Sequence, residues 1–277
     1  MPGAIGSQVN FLTDSTAGSA TFFAEGGQAE DALDGVILFS GTSLDSAENA
    51  NFTINGSTPG SAFGGDLLFD QESDVGNAIC VINGGTDGGP GGVLELTSSC
   101  TGGTARIELF GNGTLEMGSH DAPGVSVGSI EGDGLVFLGA NNLTTGTNGL
   151  STTFSGVIQD AGFSVGTGGS LTKVGTGSLT LSGANTHTGG TILNAGTLVV
   201  ANQSGSGTGT LALSGPNAYT GGTTIEEGTF LVQTKNASAT GTGPVELNAG
   251  TVGGRGKMSG AVTIGSGTGT GHSWLRE

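Results

Sequence analysis

The chain is short of bases, cysteine, large aromatics and long apolar runs. Of its 277 residues six are Lys or Arg, two Cys, one Trp and one Tyr. Two cysteines cannot form a disulfide framework, and with three histidines they leave no zinc-ligand spacing. Six bases against 23 acids give a net charge of −17. Such a surface repels phosphate backbones and anionic lipid, which excludes nucleic acid as a partner and disfavours docking on membranes. No apolar run approaches the ~20 residues of a transmembrane helix. The start, MPGAIGSQVNF, lacks the basic and apolar segments of a signal peptide, so an exported form is expected to be represented here by its mature part. Helix signals are also scarce. Apolar residues rarely follow a 3.6-residue spacing, and most windows carry several glycines, each unfavourable inside a helix by about 1 kcal/mol.

What the chain has is glycine, 59 residues of it, placed between short alternating runs. GVILF (35–39), GDLLF (65–69), GVLEL (92–96), GTLEM (113–117), GSLTL (177–181), GTLVV (196–200) and GTFLV (228–232) each read as a strand opened by glycine. The acids are unevenly spread: residues 1–140 hold 18 with one base, Arg106, and residues 141–277 hold five of each sign.

Two phrases recur. STAGSATF (15–22) returns as DSAENANF (45–52), SDVGNAIC (73–80) and, degraded, CTGGTARI (100–107), which places Ala20, Ala50, Ala78 and Ala105 at spacings of 30, 28 and 27. Later, LSGxNxxTGGTxxxxGTxxV starts at Leu181 and again at Leu213, a spacing of 32. Fixed-period repeats of short strands without helices predict an all-β parallel β-helix, a solenoid of roughly ten coils. With rungs ~4.8 Å apart the rod would be about 50 Å long. Glycines would turn the corners, and Asn185 and Asn217, at one repeat position, would hydrogen-bond between coils. The boundaries read as acidic coils over 1–140, 32-residue repeats over 141–265 and an irregular tail over 266–277. That tail, ending GTGTGHSWLRE, breaks the Gly/Thr pattern and reads as a truncation or a shifted frame rather than an end cap.

The segment GSLTKVGTGSLTLSGANTHTGGTILNAGTLVV closely resembles the autotransporter-associated β-strand repeat, also described as the passenger-associated transport repeat. Its signature lies on Lys173, Gly175, Gly177, Leu179, Leu181, Gly183, Asn185, Gly189, Gly190 and Gly196. A second copy carries Leu213, Gly215, Asn217, Gly221, Gly222 and Gly228, without the leading lysine. The resemblance implies a right-handed β-helix in the passenger of a type V secreted protein of Gram-negative bacteria, secreted or on the outer cell surface. Such proteins normally end in a membrane β-barrel, which this sequence does not contain.

Candidate chemistry is sparse. Cys80 and Cys100 lie at a spacing close to one coil, so they are expected to stack on neighbouring rungs within disulfide reach; the alternative is two buried thiols. GVSVG around Ser126 and GFSVG around Ser164 match a nucleophile elbow, but neither precedes a helix, and His187 looks like a surface rung residue. The acids of EDALDG (30–35) and DQESD (70–74) form a solvated face, a loose calcium site or, with Asp70 and Asp74, a glycosidase pair. No other cofactor and no catalytic or metal residue is assigned. The leading expectation is a non-catalytic stalk and adhesive scaffold for a surface receptor or glycan, with end-to-end association through the exposed coil ends. The alternative is a hydrolase acting on a polysaccharide or ester.

Overall fold

The computed structural model describes residues 6–28, 32–41, 45–58, 63–200, 210–213, 223–225, 229–232, 238–247 and 251–265. Among them there is no helix, and none is therefore long and apolar enough to cross a membrane. The chain is a stack of short strands, each paired in parallel with its equivalents one coil before and after. One sheet stacks Gln8–Phe11, Val36–Gly41, Asp66–Gln71, Val93–Leu96, Thr114–Glu116, Leu135–Phe137 and Val157–Gln159 in that order. A second begins with Thr21–Ala24, Asn51–Ile54, Ile79–Ile82, Gly102–Leu109 and Gly124–Gly132. It then forks, because Gly124–Gly132 is long enough to pair with Asn142–Thr145 along its first half and with Phe154 through Gly132. One branch runs on through Ser170–Lys173 to Thr191–Leu193, and the other through Ser178–Leu181 and Thr197–Val200 to Val262–Ile264. Thr210–Leu213, Thr229–Val232 and Thr251–Gly254 make a short third sheet. This is the expected parallel β-solenoid.

The alanine phrases mark its rungs. The backbone N–H groups of Asn51, Ile79 and Arg106 donate to the carbonyls of Ala20, Ala50 and Ala78. Ala50, Ala78 and Ala105 are fully buried, where only a small side chain fits between rungs. The coil length then varies along the chain. Val36 pairs with Asp66 and Asp66 with Val93, but Thr114 already pairs with Leu135. In the later repeats the step is shorter still, from Leu179 to Leu198. The sequence period that separates Leu181 from Leu213 is thus not one coil, and these equivalent leucines fall in different sheets.

Strand alternation builds the core. In Asp66–Gln71, Leu67 and Phe69 point inward with no exposure while Asp66, Leu68 and Asp70 point outward. Inward phenylalanines stack along the axis: Phe39 lies 4.3 Å from Phe11 and 4.6 Å from Phe69, centroid to centroid, with planes within 8°. Polar ladders climb the outside, Asn83 Nδ2 donating to Asn55 Oδ1 at 2.7 Å and Asn77 Nδ2 to Asn49 Oδ1 at 3.2 Å. The expected inter-coil asparagine bond takes another form at Asn185, whose Oδ1 accepts the backbone N–H of Ile158 at 2.9 Å. Asn217 lies outside the described residues.

The stacked cysteine pair is not formed. The coil at this point carries the chain from Phe52 to Cys80 and on to Ile107, so Cys80 sits between those two and Cys100 falls elsewhere on its rung. Both are free and buried, and burial pushes each thiol up to about 12. A thiol reagent such as Ellman's is therefore expected to find two thiols per chain without reductant, and to reach them only as the chain unfolds. Zero thiols in denaturant would show a disulfide instead.

Candidate functional site

Two places concentrate chemistry. The first follows from the outward face of the seven-stranded sheet. Pairing puts Asp66 opposite Val93, and Leu68, Glu95, Glu116 and Phe137 in one row on successive rungs. Glu95 and Glu116 are direct neighbours, and Asp66 lies diagonally from Glu95, roughly 8 Å away at the level of the backbone. The face is roofed at one side by the segment after Val157–Gln159. There the N–H of Phe163 donates to Glu116 Oε2 at 3.0 Å, and the Phe163 ring meets Phe137 edge-on at 5.9 Å. What remains open is an elongated groove of about 520 Å³. Asp34, Asp66 and Glu95 line it, with Phe63 and Phe163 as exposed aromatic walls.

Its electrostatics are one-sided. Burial, then the charges of Glu95 and Asp34, push Asp66 up to about 7. Burial and Glu116 raise Glu95, and burial raises Glu116 against the two backbone N–H groups that it accepts, from Phe163 and Gly118. Asp66 Oδ1 is buried without a hydrogen-bond partner. Among the described residues no three His, Cys, Asp or Glu side chains converge as a metal cage would.

Of the acids singled out in the sequence, only Asp34 lines this groove; Glu30 and Asp31 lie outside the described residues. Asp70 and Asp74 instead hold turns together. Asp70 Oδ1 accepts the hydroxyls of Ser98 at 2.7 Å and Thr97 at 3.0 Å, which lower its pKa, and Asp74 Oδ1 accepts that of Thr101 at 2.6 Å. The serine motifs are not brought to a histidine. Ser164 Oγ meets Ser119 Oγ at 2.9 Å, Ser126 lies in a strand opposite Thr144, and His187 Nε2 meets Thr191 Oγ1 at 3.0 Å. His187, expected as a surface rung residue, is half-buried, and its Nδ1 is buried without a hydrogen-bond partner. Asp66, Glu95 and Glu116 were missed. A signal for two of them was present: GVLEL and GTLEM put Glu95 and Glu116 at the same strand position of successive rungs.

The second place is the repeat signature. In Ser170–Lys173, Leu171 and Lys173 are the inward residues, and Lys173 is only 1% exposed. Its stem packs between Thr145 and Leu193 of the adjoining rungs. Its ammonium donates to the carbonyls of Val174 and Gly175, the latter at 3.2 Å, and burial lowers its pKa. Gly175, at φ +68°, turns the chain there, and a Cβ on it would overlap the Gly146 carbonyl oxygen. A Cβ on Gly196 would come within 3.0 Å of the ammonium. Lys173, Gly175 and Gly196 thus form one device, a buried ammonium capping a turn between glycines. Leu179 and Leu181 fill the next strand's core.

Residues 171–200 and 206–232 match the passenger-associated-transport-repeat. Two successive segments of the chain are thus similar to this repeat, called the first and second passenger repeats below. No curated protein and no solved structure matches the chain. The first passenger repeat spans Leu171 to Val200, so Lys173 and its glycines belong to it. Of the second, Leu213 lies in a described strand, while Gly215, Asn217, Gly221, Gly222 and Gly228 lie outside the described residues. The groove lies before both passenger repeats in the chain.

Proposed function

We propose that this chain is a non-catalytic stalk within an autotransporter-like passenger, displayed or released at the outer surface of a Gram-negative bacterium. One observation carries the reading: the first passenger repeat is built into the same forked sheet that begins in the acidic rungs. A continuous parallel stack lets each emerging coil template the next, which suits folding during export from one end.

Surface display tests it. The chain would be fused before an outer-membrane β-barrel, and its accessibility to external protease measured on intact cells. Deleting residues 171–232 is expected to lower the displayed fraction several-fold, as destabilised exported coils are lost to proteolysis. Unchanged display would overturn the reading.

The hydrolase alternative now falls on Asp66 and Glu95, which lie diagonally on neighbouring rungs of the groove. The scaffold is preferred because the segments that match the passenger-associated-transport-repeat support an exported passenger and carry no hydrolase signal.

A further inference from the structure

We propose that the groove over the seven-stranded sheet binds an amine-bearing oligosaccharide, a linear chain of unacetylated amino sugars, laid along the solenoid axis. The inference goes beyond the passenger reading and stands or falls separately from it.

The shape asks for a chain. The groove crosses the strands Asp66–Gln71, Val93–Leu96, Thr114–Glu116 and Leu135–Phe137, four successive rungs. A linear chain of pyranose units repeats on about the same length as rungs ~4.8 Å apart. The carboxylates are spread along this length and do not converge on a point, so a single metal ion does not match them.

The polar chemistry asks for a donor-rich cation. The side-chain donors on the floor are few and partly used: Asn112 Nδ2 donates to the Gly89 carbonyl at 3.0 Å and the Thr114 hydroxyl to the Asn112 carbonyl at 3.2 Å. What the groove still offers is acceptors, on Asp34, Asp66 and Glu95, with Asp66 Oδ1 buried and unpartnered. Among the described residues no Lys, Arg or His lines the groove. Ammonium groups would relieve the mutual repulsion of these acids, and hydroxyls would fill their remaining lone pairs. Phe63 and Phe163, 58% and 64% exposed, offer ring faces for the apolar face of a sugar and for a nearby ammonium.

A basic peptide fits less well. The four floor strands are paired on both sides, so no strand edge is open to extend the sheet. A peptide carries as many carbonyls as N–H groups, whereas the charged side chains of the groove, Asp34, Asp66 and Glu95, only accept.

Calorimetry on the whole chain tests this, using a glucosamine oligomer, its N-acetylated counterpart, a galacturonate oligomer and oligolysine as probes. The glucosamine oligomer is expected to bind, more weakly as salt rises, and the other three at least tenfold less tightly. Asp66→Asn and Glu95→Gln should each weaken binding about tenfold, or ~1.4 kcal/mol. Phe163→Ala, at an exposed ring, should weaken it with the fold's circular dichroism unchanged. Failure of the glucosamine oligomer to bind, equal binding of its N-acetylated form, or full affinity in Asp66→Asn would overturn the proposal. Equal binding of oligolysine would show that charge alone is read, and would overturn the glycan assignment.

Discussion

Phe39→Ala is expected to lower the unfolding free energy by about 3–5 kcal/mol, the usual loss for a fully buried phenylalanine. Phe39 has no exposed surface and meets three other rings. Phe11 and Phe69 stack on it from the rungs on either side, and Phe52 meets it edge-on at 5.9 Å. Truncation opens a cavity in the middle of the ladder and removes ring pairs each worth roughly 0.5–1.5 kcal/mol beyond their buried area. The rungs of a solenoid touch only their neighbours, so the loss stays local. Urea unfolding should then split, with the rungs around residues 8–71 melting before the passenger repeats. Phe23→Ala is the control: its ring is 66% exposed, and the change should stay within ~0.5 kcal/mol. A loss below ~1 kcal/mol for Phe39→Ala would show that the ladder does not hold the acidic coils together.

Lys173→Ala should cost about 3–5 kcal/mol, more than a lysine-to-alanine change on a surface ever would. The substitution deprives the Val174 and Gly175 carbonyls of their donor, each loss worth roughly 1–3 kcal/mol when buried, and empties the space of the stem. Lys173→Met keeps most of the volume and should cost about half as much. A pH series separates charge from packing. Burial lowers the folded-state pKa of Lys173 below the ordinary 10.5, so in the window just below 10.5 the unfolded chain binds the proton more readily. Stability from this group is therefore reduced below the folded pKa and recovers as pH rises through that window. The wild type should gain on Lys173→Met over the same range. Equal stability of the wild type and Lys173→Ala would mean that the ammonium caps nothing.

These two positions differ in how openly the sequence announces them. Phe39 sits in GVILF, an apolar strand whose alternation already sends it inward. Lys173 sits in SLTK, where the same alternation also sends it inward, but a lysine is read as exposed by default. Only the neighbouring rungs, with Gly146 below and Gly196 above, show that there is room for an ammonium inside. The cysteines make the opposite case. Their spacing is close to the later step from Leu179 to Leu198, but the coil in which they lie is longer, running from Cys80 to Ile107. Cys100 therefore falls short of the position above Cys80.

The sequence by itself determined the class of fold, the inward and outward faces of most strands and the two passenger repeats. All of these are local: period-two alternation, turn glycines and a phrase written twice need no knowledge of what lies one coil away. The tertiary structure decided which residues meet. Asp66, Glu95 and the distant Phe163 share a groove because unequal coils, from Asp66 to Val93, Val93 to Thr114 and Leu135 to Val157, bring their strands into line. In the acidic coils the alanine phrases already carry the step, as Thr21, Asn51, Ile79 and Arg106 pair at the same spacings, but beyond Ala105 no phrase recurs at the coil's length, so register there emerges only when the rungs are stacked.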